Sequence, residues 1–156
     1  VAKIALGYGM QVKAVDPQID AATVQLSFFD GRSLDFEIAT EPMDKVLKSS
    51  DFITLHVGGA GKALLGEDEL EMMKDGAGII NTSRGGIVDE TALLEALDSG
   101  KLRYAALDVF ENEPQPSLKI LMNGHTSLSP HIGAATLEAQ DRIGLELAEL
   151  IQEKLG

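Results

Sequence analysis

The stretch DGAGIINTSRGGIVDETALLEAL, residues 75–97, changes rhythm twice, and that change decides the fold. Ala77 to Asn81 is a compact apolar run, too short for a helix and suited to a buried strand, whereas Glu90 to Leu97 places its apolar residues at helical spacing. Between the two lie small residues, turn formers and one long cation, Arg84, at the point where a strand hands over to a helix. A strand feeding a helix through such a loop is half of a parallel crossover unit.

The same alternation continues on both sides. Met10–Val15 reads as a strand ending in Asp16-Pro17, Asp51–His56 as a second, Tyr104–Val109 and Thr126–Leu128 as two more. Met43–Lys48, Asp68–Met73 and the long tail Leu137–Leu155 carry helical spacing. Alternating strands and helices predict an α/β fold with a parallel sheet covered on both faces. One segment breaks the rhythm. Val24–Phe28 and Ser33–Ile38 alternate apolar and polar residues around Phe29-Asp-Gly-Arg32, which predicts an inserted hairpin.

Composition narrows the function. With 156 residues, 44% of them apolar, the chain can bury a core. A net charge of -12 argues against a nucleic-acid or anionic-membrane surface, so any bound anion must be held locally. The chain has no cysteine, which removes disulfides and thiolate chemistry, and no apolar run approaches a membrane span. A cytoplasmic protein is expected. The chain begins at Val1, already in helical pattern, as if cut from something longer.

In open parallel sheets ligands bind beyond the carboxyl ends of the strands. The polar residues found there are Asp16, His56, Asn81 through Arg84 (including Thr82 and Ser83), Asp108, and the stretch Ser129–Gly133. A carboxylate such as Asp16 suits the two hydroxyls of a ribose and repels a phosphate, which favours NAD over NADP; Asp16-Pro17 also reads simply as a turn. Arg84 offers a planar fork of donors that matches a carboxylate, among small residues that let a ligand approach; a lone loop arginine also serves as a surface ion-pair partner. His125 follows Asn-Gly in a turn and reads as solvated. His131 is directed by Pro130 and small followers, and imidazole can give and take a proton near neutrality, best with a carboxylate behind it. Asp108–Pro114 supplies candidate carboxylates. No metal-ligand spacing stands out, and no metal site is expected.

Three strings, Asn81–Glu90, Ala106–Pro114 and Ser129–Thr136, in this order and spacing, resemble the nucleotide-binding domain of the D-isomer-specific 2-hydroxyacid dehydrogenases, and among them the D-3-phosphoglycerate dehydrogenases. The resemblance covers almost the whole chain. It implies a Rossmann-like doubly wound sheet, NAD as cofactor, and hydride transfer to or from a small 2-hydroxy or 2-oxo acid, most readily 3-phosphoglycerate at the start of serine synthesis. It implies that Arg84 holds the substrate's carboxylate and carbonyl, that His131 moves the proton, and that Glu113 tunes His131. Asp108 is then expected at the nicotinamide carboxamide and Asp16 at the adenosine ribose, with His56, Thr82, Ser83 and Gly133 lining the cofactor. A homodimer or higher homo-oligomer is expected.

The departures are specific. The family's glycine-rich phosphate loop and the strand before it are expected to be missing, since Gly7 and Gly9 lie too late to replace them, and residues 1–156 are expected to be a nucleotide-binding domain incomplete at its N-terminus, without the substrate domain. His56–Gly61 differs from the family's usual His-Val-Pro, and the hairpin region Asp20–Thr40 has no functional reading. Enzymes acting on glyoxylate, hydroxypyruvate or D-lactate share the scaffold. So do non-catalytic corepressors, against which the joint presence of Arg84, Glu113 and His131 argues.

Overall fold

The computed structural model describes residues 1–59, 61–133 and 135–155; Ala60, within His56–Gly61, Ala134, within Ser129–Thr136, and Gly156 lie outside the described residues. Helix α1 (Ala2–Gly7) is followed by the antiparallel strands β1 (Ala21–Ser27) and β2 (Ser33–Ala39). Helices and strands then alternate: α2 (Met43–Ser49), β3 (Phe52–Leu55), α3 (Glu67–Met72), β4 (Ala77–Asn81), α4 (Glu90–Asp98), β5 (Leu102–Leu107), α5 (Leu118–Met122), β6 (Thr126–Leu128) and α6 (Leu137–Leu155). Strands β3 to β6 form one parallel sheet in sequence order. The expected Rossmann-like α/β architecture is present.

Side-chain alternation explains the layering. Ile53, Ile79 and Ala105 are neighbours across three strands, as are Leu55, Asn81 and Leu107. Successive strand residues point to opposite faces, so both rows face the same way, into a core with Leu47, Leu70, Leu93, Leu97 and Ile120 from α2 to α5. The row Phe52, Gly78 and Tyr104 faces the other way, and there Phe52 is 61% and Tyr104 52% exposed. Gly78 is needed in that row because the Phe52 ring lies over it; a Cβ at Gly78 would stand 2.9 Å from Cδ1 of that ring.

Helix α4 begins where its sequence dictates. Asp89 caps it by accepting the amide of Ala92 at 2.9 Å, satisfying one of the donors that a helix start leaves unpaired. The inserted hairpin forms in the expected place, with Ser27 opposite Ser33 and Gly31 in the left-handed region at φ 83° to close the turn.

Two expectations need correction. Met10–Val15 is not a strand: its only pairing among the described residues is one parallel bridge, Ala14 to Thr40. The apolar pattern is present, but a strand is defined by a ladder of partners, and this segment has one rung. The strand expected at Tyr104–Val109 is displaced to Leu102–Leu107. Asp108, Val109 and Phe110 are buried, but they leave the sheet to begin the loop that serves the site.

Candidate active site

The carboxyl ends of β3, β4, β5 and β6 lie side by side because the strands are parallel and adjacent. This brings His56, the Thr82–Arg84 turn, Asp108 and the Ser129–Gly133 loop to one edge of the sheet. Asp16 precedes the hairpin and belongs to no strand of this sheet.

The Arg84 turn is built by Asn81. Its buried side-chain amide donates to the Arg84 carbonyl at 3.0 Å, while its oxygen accepts the Ser83 amide at 3.1 Å and the Ser83 hydroxyl at 2.8 Å. The Arg84 side chain is exposed and donates to the Ser83 carbonyl at 2.6 Å. No carboxylate pairs with it among the described residues, so the surface ion-pair explanation finds no partner there. Gly59 lies against it, its built Cβ position 3.9 Å from the Arg84 Cβ.

The His131 loop is built by Asp108. One carboxylate oxygen accepts the Ser129 hydroxyl at 2.6 Å and the Ile132 amide at 2.9 Å, and the other accepts the Gly133 amide at 2.9 Å. Burial pushes the Asp108 carboxyl up, but the Ser129 hydroxyl, these two amides and the nearby His131 outweigh it and hold it below its ordinary value. Between the clamped residues, His131 takes φ 53°, the one non-glycine residue with positive φ among those described. Such a conformation costs of order 1–3 kcal/mol and persists where the surroundings enforce it, commonly at functional sites.

Glu113 stands behind His131. Its Oε2 lies 2.6 Å from His131 Nδ1, and its Oε1 accepts the Phe110 amide at 2.9 Å. The His131 contact, with help from that amide, holds the Glu113 carboxyl below its ordinary range against opposing burial and the Asp108 charge. An ionised carboxylate only accepts, so Nδ1 carries the hydrogen and Nε2 is left as the imidazole's basic atom. This is the geometry of an oriented general base.

The remaining residues divide. His56 is exposed, with Nε2 2.9 Å from the Thr54 hydroxyl, and Thr82 is exposed beside it on the next strand end. Asp16 uses Oδ1 to accept the Gln18 amide at 2.8 Å, which is the turn arrangement, and its other oxygen remains available to a diol. Gly7 and Gly9 close α1, with Gly9 at φ 77°, instead of opening a helix towards a phosphate. The described residues therefore fit the nicotinamide end of a dinucleotide; none of them forms the phosphate loop. No group of three or more candidate metal ligands occurs among the described residues, and no helix is long and apolar enough to cross a membrane.

Sequence reasoning overlooked three contributors. Asn81 appeared only as a polar strand end, although a buried Asn before a turn is a recognisable signal. Ser129 gave no signal of its own. The third is a pair: Glu111 Oε1 accepts the Glu90 amide at 2.9 Å and Glu90 Oε1 accepts the Glu111 amide at 2.8 Å. Burial pushes the Glu90 carboxyl up; the Glu111 amide opposes this and the Glu111 charge adds to it.

Comparison with known proteins is decisive for the family. The sequence profile of the D-isomer specific 2-hydroxyacid dehydrogenase, NAD binding domain, matches residues 1–133. The chain belongs to this family, as its NAD-binding domain. A hydroxypyruvate reductase of Thermotoga maritima is 40% identical over 161 residues, covering 100% of this chain and 49% of that protein. A D-3-phosphoglycerate dehydrogenase of Methanocaldococcus jannaschii is 39% identical over 157 residues, covering 99% of this chain and 28% of that protein. Among solved structures, a glyoxylate reductase from Paecilomyes thermophila superposes with a TM-score of 0.74 at 36% identity, over 93% of this chain and 42% of that one. The chain thus spans about half the length of the Thermotoga relative and less of the other.

Proposed function

We propose that this chain is the cofactor-binding part of an NAD-dependent oxidoreductase that interconverts a D-2-hydroxy acid and its 2-oxo acid. The observation that carries the reading is the pairing of His131 Nδ1 with Glu113 Oε2, at the same sheet edge as the exposed fork of Arg84, which no carboxylate pairs among the described residues. The chemistry supplied by bound NAD is acceptance or donation of a hydride at the nicotinamide ring. The chain's own residues supply the rest. Arg84 binds the substrate carboxylate through two donors and polarises the carbonyl. His131 takes the hydroxyl proton at Nε2 during oxidation, and Glu113 stabilises the imidazolium so formed; in reduction the same atom returns the proton to the developing alkoxide. Asp108, with one oxygen accepting a single amide, can still accept from the carboxamide, while Asp16 meets the adenosine ribose and His56, Thr82, Ser83 and Gly133 border the cofactor.

As substrate we propose 3-phosphoglycerate, in serine biosynthesis, in a cytoplasmic homodimer or higher oligomer. Hydroxypyruvate or glyoxylate is the second reading, favoured by the name of the Thermotoga relative. Residues 1–156 by themselves are proposed to be inactive and to bind NADH weakly, because none of the described residues forms a phosphate loop. The test is turnover of the full-length protein with NAD and a panel of D-2-hydroxy acids, beside His131→Asn. Asn tolerates the left-handed backbone, so this variant isolates the proton step. Turnover should fall by orders of magnitude, about 10²-fold or more, with NADH affinity nearly unchanged. Retained turnover, or a large loss of NADH binding, would remove His131 from the proposed role.

A further inference from the structure

The loops bearing Arg84 and Glu113 meet at a junction that neither the proton path nor substrate binding uses. Phe110 and Glu111 lie at its centre. The Phe110 amide braces Glu113, and the Phe110 carbonyl faces Gly85, the residue after Arg84. A Cβ at Gly85 would stand 1.8 Å from the Phe110 oxygen and 2.4 Å from its carbonyl carbon, so only glycine permits this approach. One residue further, Glu111 accepts the amide of Glu90 and Glu90 accepts the amide of Glu111, at 2.9 and 2.8 Å.

This is a capping box divided between two segments: each glutamate satisfies the other's backbone donor, as a cap residue and the third helical residue do within one helix. Simple capping of α4 does not account for it. Asp89 already caps that helix through the Ala92 amide. The bond from Glu111 back to Glu90, and the backbone contact at Gly85, add nothing to the helix start. They hold one loop against the other. Glu90 is moreover 7% exposed, a costly place for a carboxyl whose only duty is a helix end.

We infer that Gly85, Glu90 and Glu111 are positioning residues that latch the Arg84 loop onto the Glu113 loop, so that the anion-holding fork and the proton-handling pair are set by one joint. The inference rests on the dehydrogenase reading for its catalytic consequence. The latch itself is independent of it.

The experiment compares Glu111→Ala, Glu111→Gln and Glu111→Asp in the full-length protein by amide hydrogen exchange and steady-state kinetics. In Glu111→Ala, exchange at Ser83, whose amide Asn81 holds, should rise together with exchange at Phe110, whose amide Glu113 holds, leaving β4 unchanged. KM for the 2-oxo acid should rise and kcat fall, about 10-fold combined, with KM for NADH changed less than about 2-fold. Glu111→Gln keeps an acceptor oxygen in place and should restore most of both. Should the alanine variant fail to fold, Glu111→Asp, which retracts the acceptor by one methylene, is judged by the same readouts. Faster exchange confined to the first turn of α4, with KM for the 2-oxo acid unchanged, would reduce Glu111 to a helix cap and overturn the latch. Absence of wild-type turnover on every 2-oxo acid would instead overturn the dehydrogenase reading, and the exchange pattern would still decide the latch.

Discussion

Replacing Asp108 by Asn changes one carboxylate oxygen to an amide and removes a charge, and the structure gives its cost. In the wild type the carboxylate, 4% exposed, receives three donors: Ser129, Ile132 and Gly133. With the Asn oxygen kept towards Ser129 and Ile132, two bonds survive but become neutral, each weaker by about 1 kcal/mol. The new NH2 then faces the Gly133 amide, donor against donor, and leaving that amide unpaired costs a further ~1–3 kcal/mol. Relief from burying a charge offsets part of this, leaving about 2–3 kcal/mol. Asp108→Ala orphans all three donors and should cost about 4 kcal/mol. The assay is equilibrium unfolding in urea. A second substitution isolates the strain: His131→Gly accepts φ 53° without cost, so it should be more favourable in the wild type, where the clamp enforces that backbone, than in the Asp108→Asn background, where a weakened clamp has already let the strain relax. A loss below ~0.5 kcal/mol for Asp108→Asn, or strict additivity with His131→Gly, would refute the claim that Asp108 enforces the His131 backbone.

The same argument predicts a pH dependence. Asp108 in the folded protein lies below its ordinary 3.8, so its stabilisation is fully present above 3.8 and is lost as pH falls through the lower folded value. Glu113 behaves alike below its ordinary 4.5. Glu90 has the opposite sign, since its raised carboxyl stabilises below 4.5 and loses that contribution as pH rises through its folded value. Subtracting the Asp108→Asn curve from the wild type cancels Glu90, which Asp108 does not influence, and leaves of Glu113 only the part due to the Asp108 charge. The difference should be flat above about pH 5 and shrink below 3.8.

Arg84→Lys keeps a charge but loses the planar fork, so catalytic efficiency should drop by ~2–4 kcal/mol of transition-state binding while folding stability changes by less than ~1 kcal/mol; equal losses in both would make Arg84 structural. Asp16→Ala should weaken NAD binding and narrow its advantage over NADP, measured by calorimetry with both cofactors, and an unchanged preference would leave Asp16 only its turn bond to Gln18.

Much of the architecture was legible because short apolar runs were bounded by turn formers. β4 and β6 begin and end where Ala77–Asn81 and Thr126–Leu128 place them. The misreadings share a cause: apolar pattern reports burial, while strand identity requires a partner. Val109 and Phe110 are core residues outside the sheet, and Met10–Val15 has too few rungs to be a strand. Helix α5 escaped because five residues after Pro114 and Pro116 carry no full helical period; its one signal is Ser117, which accepts the Lys119 amide. In the site, the chemical types of Arg84, Glu113 and His131 could be read from side-chain chemistry and resemblance. Their supports could not. The Glu90–Glu111 exchange joins residues 21 apart, and only the fold brings them together.

Those supports form a pattern of their own. Among the described residues the buried polar side chains are Asn81, Glu90 and Asp108. Asn81 holds the turn of Arg84, Asp108 holds the loop of His131, and Glu90 joins the Arg84 loop to the one that carries Glu113. A core selected for stability alone would replace such groups with apolar side chains, because a buried charge pays for its desolvation only with ideal partners. Here all three lie behind loops of one sheet edge, and no buried side-chain polar atom is left without a partner among the described residues. The costly buried groups are thus concentrated where they fix the loops of Arg84, Glu113 and His131, the rigid placement that the proposed acid–base and anion-binding chemistry requires.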